Sequence, residues 1–281
     1  MERIISVAVD VALGEDLGPE GRDLTTEAVI RVRDGAAVII ANDQGILAGT
    51  AVAVAVFRRL DPLISSSLFL QDGDLLRPGQ TVASIKGDLR AILAGERSAL
   101  NLLGHLSGIA TLTNRYVRAA QGTGVKIYDT RKTHVGLRAL EKLAVKVGGG
   151  HNHRFGLFDG ILIKDNHLAV STVGQAVRSA KTSYPGSVVE IEVETLSQLE
   201  EALEAGADIV LLDNMDLDNL RTAIGVAKVK AEIEVSGGVE LGNIRAIAEL
   251  GPDRVSTGKI TQSAQAIDFS LSVQSDAYEG S

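Results

Sequence analysis

Arg131, Lys132, Arg154 and Lys164 are four cations gathered in one stretch of a chain whose net charge is −8. The stretch runs from Tyr128 to His167. It reads Tyr128-Asp129-Thr130-Arg131-Lys132-Thr133, a helical run, Gly148-Gly149-Gly150-His151-Asn152-His153-Arg154, and then Asp159 through Lys164-Asp165-Asn166-His167. Four cations brought to one cleft repel one another unless an anion joins them. Arginine holds a planar carboxylate in a two-pronged fork, whereas lysine acts as a point charge. Two of each therefore fit a ligand with several anionic groups. Ion pairing with Glu141, Asp159 or Asp165 is the competing explanation for any single one.

Carboxylates and glycines complete the inventory. In Val188-Val189-Glu190-Ile191-Glu192-Val193-Glu194 three acids recur at period two, so on a strand they share a face. Turned into a barrel they need cations or a metal. Glu192 and Glu194, with Asp213 further on, are expected to hold Mg2+, ribose hydroxyls or a developing positive charge. Ser236-Gly237-Gly238 and Ser256-Thr257-Gly258 offer turns in which backbone N–H groups approach a phosphate. His151, His153 and His167 invite a metal-site reading, but no carboxylate completes a zinc pattern. His153 beside Arg154 suits a donor to an anion better.

The elements that must position these residues are repeated βα units. Short apolar runs at Val125–Tyr128, Gly160–Ile163, Val188–Val193, Ile209–Leu212, Glu232–Val235 and Arg254–Ser256 alternate with helical segments. Six in succession predict an α/β barrel of about six parallel strands. In such barrels the chemistry sits where strands end, and the residues above follow those runs. Before the barrel a separate N-terminal domain is expected over 1–105, with Asp23 as a helix cap and a strand at Ala36–Ala41. The barrel is assigned to 106–265. The segment 266–281 is expected to pack back on the N-terminal domain, with a polar tail fraying after Gln274. The β-rich stretch Gln71–Gly87 has the rhythm of a lipoyl or biotinyl carrier. Lys86, however, sits at a strand end rather than a hairpin tip, which favours a small half-barrel. Arg97, Asn101 and His105 share one helix face, and a solvated face is the plain explanation for them.

Composition narrows the class. The 281 residues are 45% hydrophobic but only 3% aromatic, so aliphatic side chains must fill the core. The acidic balance argues against nucleic acid, which needs an extended basic face. Cysteine is absent, which removes disulfides, thiolate nucleophiles and Cys-based metal sites. No run is long enough to span a bilayer, and the N-terminus lacks the apolar core of a signal peptide. A cytoplasmic protein with no membrane partner is expected.

Taken in order, Asp129-Thr130-Arg131-Lys132-Thr133, Asn152-His153-Arg154, Ile163-Lys164-Asp165-Asn166-His167, the Glu-x-Glu-x-Glu strand, Leu212-Asp213-Asn214-Met215 and Ser236-Gly237-Gly238 resemble the quinolinate phosphoribosyltransferase family. The likeness extends to Glu15-Asp16-Leu17-Gly18 and Asp23-Leu24-Thr25-Thr26 and covers nearly the whole chain. It implies conversion of quinolinate and phosphoribosyl pyrophosphate to nicotinate mononucleotide, pyrophosphate and CO2, with Mg2+, in de novo NAD synthesis. It implies an N-terminal α/β sandwich domain, an open α/β barrel, and a homodimer with shared active sites, or a higher oligomer. Carried over by motif, Arg131, His153, Arg154 and Lys164 bind the quinolinate dicarboxylate, and Arg97 reaches in from the other subunit. Lys132, Glu192 and Asp213 serve the phosphoribosyl substrate as the catalytic set, the two acids also being the candidate Mg2+ ligands. Ser236, Gly237, Gly238 and Gly258 hold its 5-phosphate. The sequence departs from the family pattern at His134-Val135, Lys259 and Gln262. Alternatives are a related pyrophosphorylase acting on another ring, a transferase using nicotinate, or a non-catalytic dicarboxylate receptor. A receptor would not place Glu192 and Asp213 beside its cations.

Overall fold

The computed structural model describes residues 2–31 and 34–274. The first elements are α1 (Glu2–Leu17), α2 (Leu24–Val29), β1 (Asp34–Ala41), β2 (Gly45–Ile46), α3 (Thr50–Leu60), β3 (Ser65–Leu68), β4 (Leu75–Leu76), β5 (Gln80–Asp88) and α4 (Leu89–Ala119). Strand and helix then alternate: β6 (Lys126–Tyr128), α5 (Arg138–Val147), β7 (Ile161–Ile163), α6 (Asp165–Leu168), α7 (Val173–Ser183), β8 (Val189–Val193), α8 (Leu196–Glu204), β9 (Ile209–Asp213), α9 (Leu217–Ala227), β10 (Glu232–Ser236), α10 (Ile244–Glu249), β11 (Arg254–Ser256), α11 (Lys259–Gln262) and β12 (Phe269–Val273). The polar tail expected to fray after Gln274 lies outside the described residues. Among the described residues no helix is long and apolar enough to cross a membrane.

The chain forms two compact units that interleave in sequence. The first takes the chain up to Asn114, His134–Gly149 and the segment from Ser263; the second takes Arg115–Thr133 and Gly150–Gln262. In the first, strands run in the order β12-β1-β5-β3 with antiparallel neighbours. Alternation in β1 buries Ala37, Ile39 and Ala41, as a sheet with one covered face requires. Asp23 caps α2 by accepting the Thr26 N–H at 3.0 Å. Lys86 sits within the ladder of β5, opposite Ala36 on β1 and Ser65 on β3, so it is not presented at a carrier hairpin's tip.

The second unit holds the six parallel strands, in the order β6-β11-β10-β9-β8-β7. Among the described residues no ladder joins β6 to β7, so the barrel is open there. Near-continuous apolar runs such as Ile209–Leu212 are what a strand covered on both faces requires. Helices α7, α8 and α9 start at side-chain caps: Thr172 on α7, Thr195 on α8 and Asp216 on α9. Each cap satisfies an orphan N–H and ends the preceding turn at a defined place. The helices bury one stripe each, Val173 and Val177, then Leu199 and Ala202, then Leu220, Ala223 and Ile224.

Candidate active site

One cavity of about 610 Å3 opens where the strands of the second unit end. Every residue expected from the sequence to form the site lines it except Arg97 and Glu194. Arg97 is exposed on α4 in the first unit. Glu194 is a correction to the expected row of acids. Strand β8 stops at Val193, and Glu194 lies exposed beyond it with its N–H donated to Gln198 at 2.8 Å. Its neighbours on the row part company too, because Glu192 faces the cavity and Glu190 lies deeper, buried in the barrel interior.

Around the opening the groups follow strand order. After β6 come Thr130, Arg131 and Lys132. The Thr130 hydroxyl accepts the Lys132 N–H at 3.1 Å, and the Lys132 carbonyl accepts from the Thr261 hydroxyl at 2.6 Å. His153 and Arg154 stand on a segment stitched to β6 at His151, whose N–H donates to Ile127 at 2.7 Å. Buried Asp129 fixes that segment by accepting the His153 N–H at 2.8 Å. Arg154 donates to the Gly160 carbonyl at 3.1 Å. Burial and the nearby Arg131 guanidinium push Arg154 below its ordinary pKa. Two guanidiniums held close enough to do that are a receptor for negative charge.

Past β7, Lys164 contacts the carboxylate of Glu192 on β8, so its charge is already shared. Asp213 ends β9 and accepts from the Asn214 side-chain amide at 2.7 Å. Past β10 and β11 lie the glycine turns. Gly237 has φ +77, and a Cβ there would sit 2.7 Å from the Asn214 backbone nitrogen. A Cβ on Gly258 would press to 2.6 Å from Lys132 Cδ. Only glycine allows the backbone to come this close. Lys259 and Gln262 also line the cavity, and Lys259 pairs with Glu240.

Around His153, at the inner wall of the cavity, is a charged cluster whose assembly sequence reasoning missed. Glu234 is fully buried, Glu190 and Arg254 nearly so, and His153 reaches down to them. His153 Nε2 lies 3.1 Å from Glu190 and 3.6 Å from Glu234. Arg254 Nε lies 2.7 Å from Glu234 Oε2, yet neither atom attains hydrogen-bond geometry, so this is charge contact without a directed bond. The Ser256 hydroxyl donates to Glu234 Oε1 at 2.5 Å. The Arg254 guanidinium also lies over the Tyr128 ring, 5.2 Å from its centre. Burial, and then Glu190, push the Glu234 carboxyl up to about 7. His153 feels opposite pulls. Burial lowers its pKa, the two carboxylates raise it further, and the net direction is upward. Its Nδ1 nevertheless accepts the Arg154 N–H at 2.8 Å, which suits the neutral ring with its proton on Nε2. Charging His153 therefore requires that contact to open.

His151, His153 and His167 do not gather into one site. His151 stacks on Tyr128, and His167 accepts the Lys164 N–H at 2.9 Å to cap α6.

Comparison with known proteins bears on the whole chain. The family described as quinolinate phosphoribosyl transferase matches with its N-terminal domain at residues 23–107 and its C-terminal domain at 109–272. A Bacillus subtilis protein named probable nicotinate-nucleotide pyrophosphorylase [carboxylating] is 42% identical over 92% of this chain and 90% of its own. Its Mycobacterium leprae counterpart, named without the qualifier, is 39% identical over 92% and 94%. The solved structure of the nicotinate-nucleotide pyrophosphorylase from Francisella tularensis superposes with a TM-score of 0.93, at 38% identity, over 98% of this chain and 97% of that one.

Proposed function

This chain belongs to the quinolinate phosphoribosyltransferase family, and on that premise we propose that its barrel cavity joins quinolinate to phosphoribosyl pyrophosphate in de novo NAD biosynthesis. The products are nicotinate mononucleotide, pyrophosphate and CO2. The observation that carries the reading is the order of groups around one opening. Arg131, His153 and Arg154 lie at the β6 edge, the acids Glu192 and Asp213 end β8 and β9, and the glycine turns follow β10 and β11.

Quinolinate is a dianion, and the paired guanidiniums of Arg131 and Arg154, with His153, suit its two carboxylates. Lys164 joins them by giving up Glu192 when substrate arrives. The ring nitrogen then faces the ribose carbon that loses pyrophosphate. As that bond breaks the ribose gains positive charge, which the carboxylates of Glu192 and Asp213 stabilise. Lys132 and the turns at Ser236–Gly238 and Gly258 hold the phosphates. With the ring nitrogen carrying the ribosyl group, the adjacent carboxylate leaves as CO2 and a proton takes its place on that carbon. The cations around the ring stabilise the electron pair in between.

Mg2+ suits this site as the companion of pyrophosphate. Hard cations of this kind commonly take one or two protein carboxylates and complete their shell with phosphate and water. Glu192 and Asp213, on adjacent strands and both lining the cavity, fit that pattern. The ion would neutralise the leaving group. Arg97, exposed and not among the lining residues, is assigned to the cavity of a second copy, in a homodimer with shared sites. A cysteine-free chain is compatible with the reducing cytoplasm, where we place the reaction.

The test is one assay with quinolinate, phosphoribosyl pyrophosphate and Mg2+, following nicotinate mononucleotide and CO2. Product that vanishes when either substrate is omitted supports the reading. Quinolinate binding without turnover points to a receptor, and turnover with nicotinate instead of quinolinate overturns the assignment.

A further inference from the structure

We propose that His105, His134 and Glu141 form a binding site for a divalent transition-metal ion of the zinc class in the first unit of the chain. His105 lies on α4, His134 on the segment that enters α5, and Glu141 in the first turn of α5. The Glu141 side chain is fully buried. Its Oε1 lies 2.8 Å from His105 Nε2 and 2.7 Å from His134 Nδ1. The backbone N–H of His134 points at both carboxylate oxygens, at 3.3 and 3.2 Å. The two rings meet edge to face with centres 5.0 Å apart.

Three observations point to a metal. The first is charge. Among the described residues no lysine or arginine lies within ion-pair distance of Glu141, so two imidazoles are its only ionic partners. A carboxylate taken fully out of water is costly without a cation beside it. The second is the donor set. Two imidazole nitrogens and one carboxylate oxygen lie within 4.8 Å of one another, a combination that Zn2+ accepts. Metal–donor bonds of about 2.0–2.2 Å place tetrahedral ligands about 3.3 Å apart, so each imidazole has to draw back by roughly half an ångström. The third is access. The His134 side chain is 53% exposed, which leaves a path for the ion and an open position for water. His105 also lines a second cavity of about 410 Å3 whose rim carries Glu15 and Asp16, and these favour a cation's approach. The His134 N–H holds the carboxylate in orientation as an outer-shell partner does.

The experiment uses the full chain, stripped with a chelator and titrated with Zn2+ alone, then with Co2+ as a coloured probe. One equivalent of Zn2+ is expected to bind and to raise Tm by about 5–10 °C at a hundredfold excess over its Kd. Bound Co2+ should show the visible absorption of a low-coordinate site. His134→Ala, at a largely exposed side chain, should weaken Zn2+ binding at least tenfold and remove the Co2+ absorption. His151→Ala, on an exposed histidine elsewhere, should change neither. Equal Zn2+ uptake by wild type and the H105A/H134A double variant overturns the proposal, as does a Co2+ spectrum that survives H134A or an absence of uptake by wild type. The readout is metal uptake, so it does not depend on turnover.

Discussion

Replacing Glu234 by glutamine should stabilise the protein relative to wild type progressively as pH rises, and the size follows from the barrel interior. The carboxyl is fully buried, and its folded pKa is about 7 against an ordinary 4.5. Burial is the largest cause and Glu190 the second, with His153, Arg254 and the Ser256 hydroxyl pulling the other way. Because the folded value lies above the unfolded one, the fold favours the protonated acid. The stability tied to that proton is complete below pH 4.5 and is lost as pH rises through about 7. At about 1.4 kcal/mol per pH unit, the full loss is about 3 kcal/mol.

Glutamine keeps the shape, keeps an acceptor for Ser256 and has no proton to lose. It leaves Arg254 facing an amide, a cost that does not vary with pH, so the slope of the stability difference is diagnostic rather than its offset. The assay is urea unfolding of both proteins at steps between pH 4.5 and 7. A gap that stays flat, or that moves against the variant as pH rises, refutes the assignment of a neutral-range carboxyl to this position.

Arg154→Ala should raise KM for quinolinate and lower turnover, with kcat/KM falling about 10- to 150-fold for a charged hydrogen bond worth about 1.5–3 kcal/mol. Near wild-type kinetics would remove Arg154 from the site. Gly237→Ala forces a side chain into a left-handed turn and to within 2.7 Å of the Asn214 nitrogen. It should raise KM for phosphoribosyl pyrophosphate while leaving quinolinate binding intact, which separate titrations of the two ligands can check. Arg97→Ala and Lys132→Ala proteins, each weak alone, should recover activity when mixed and allowed to exchange subunits. Absence of recovery after demonstrated exchange counts against a shared site.

The cations and glycines were legible because strand ends in an α/β barrel point to one opening, and Arg131, Lys164, Asp213 and Gly258 each follow an apolar run. Glu194 failed on a boundary. Period-two alternation says which residues share a face but not where a strand stops, and β8 stops one residue short of it. Glu234 and Arg254 failed for a different reason. Each is a charge at the interior of, or leading, an apolar run, which is itself a signal, but their pairing is a matter of register. Glu234 on β10 stands directly opposite Arg254 on β11. Nothing local to either strand states that they are neighbours, and Glu190 joins them only across the barrel interior. His105, His134 and Glu141 are the same case in the first unit, a helix face, an entry segment and a helix start that meet only after folding. The positions that bury charge without an obvious partner in sequence are thus where tertiary geometry decides the chemistry. Glu190, Glu234 and Arg254 gather around His153 from three different strands, so the protonation of a residue that lines the cavity is governed by groups brought to it only by folding.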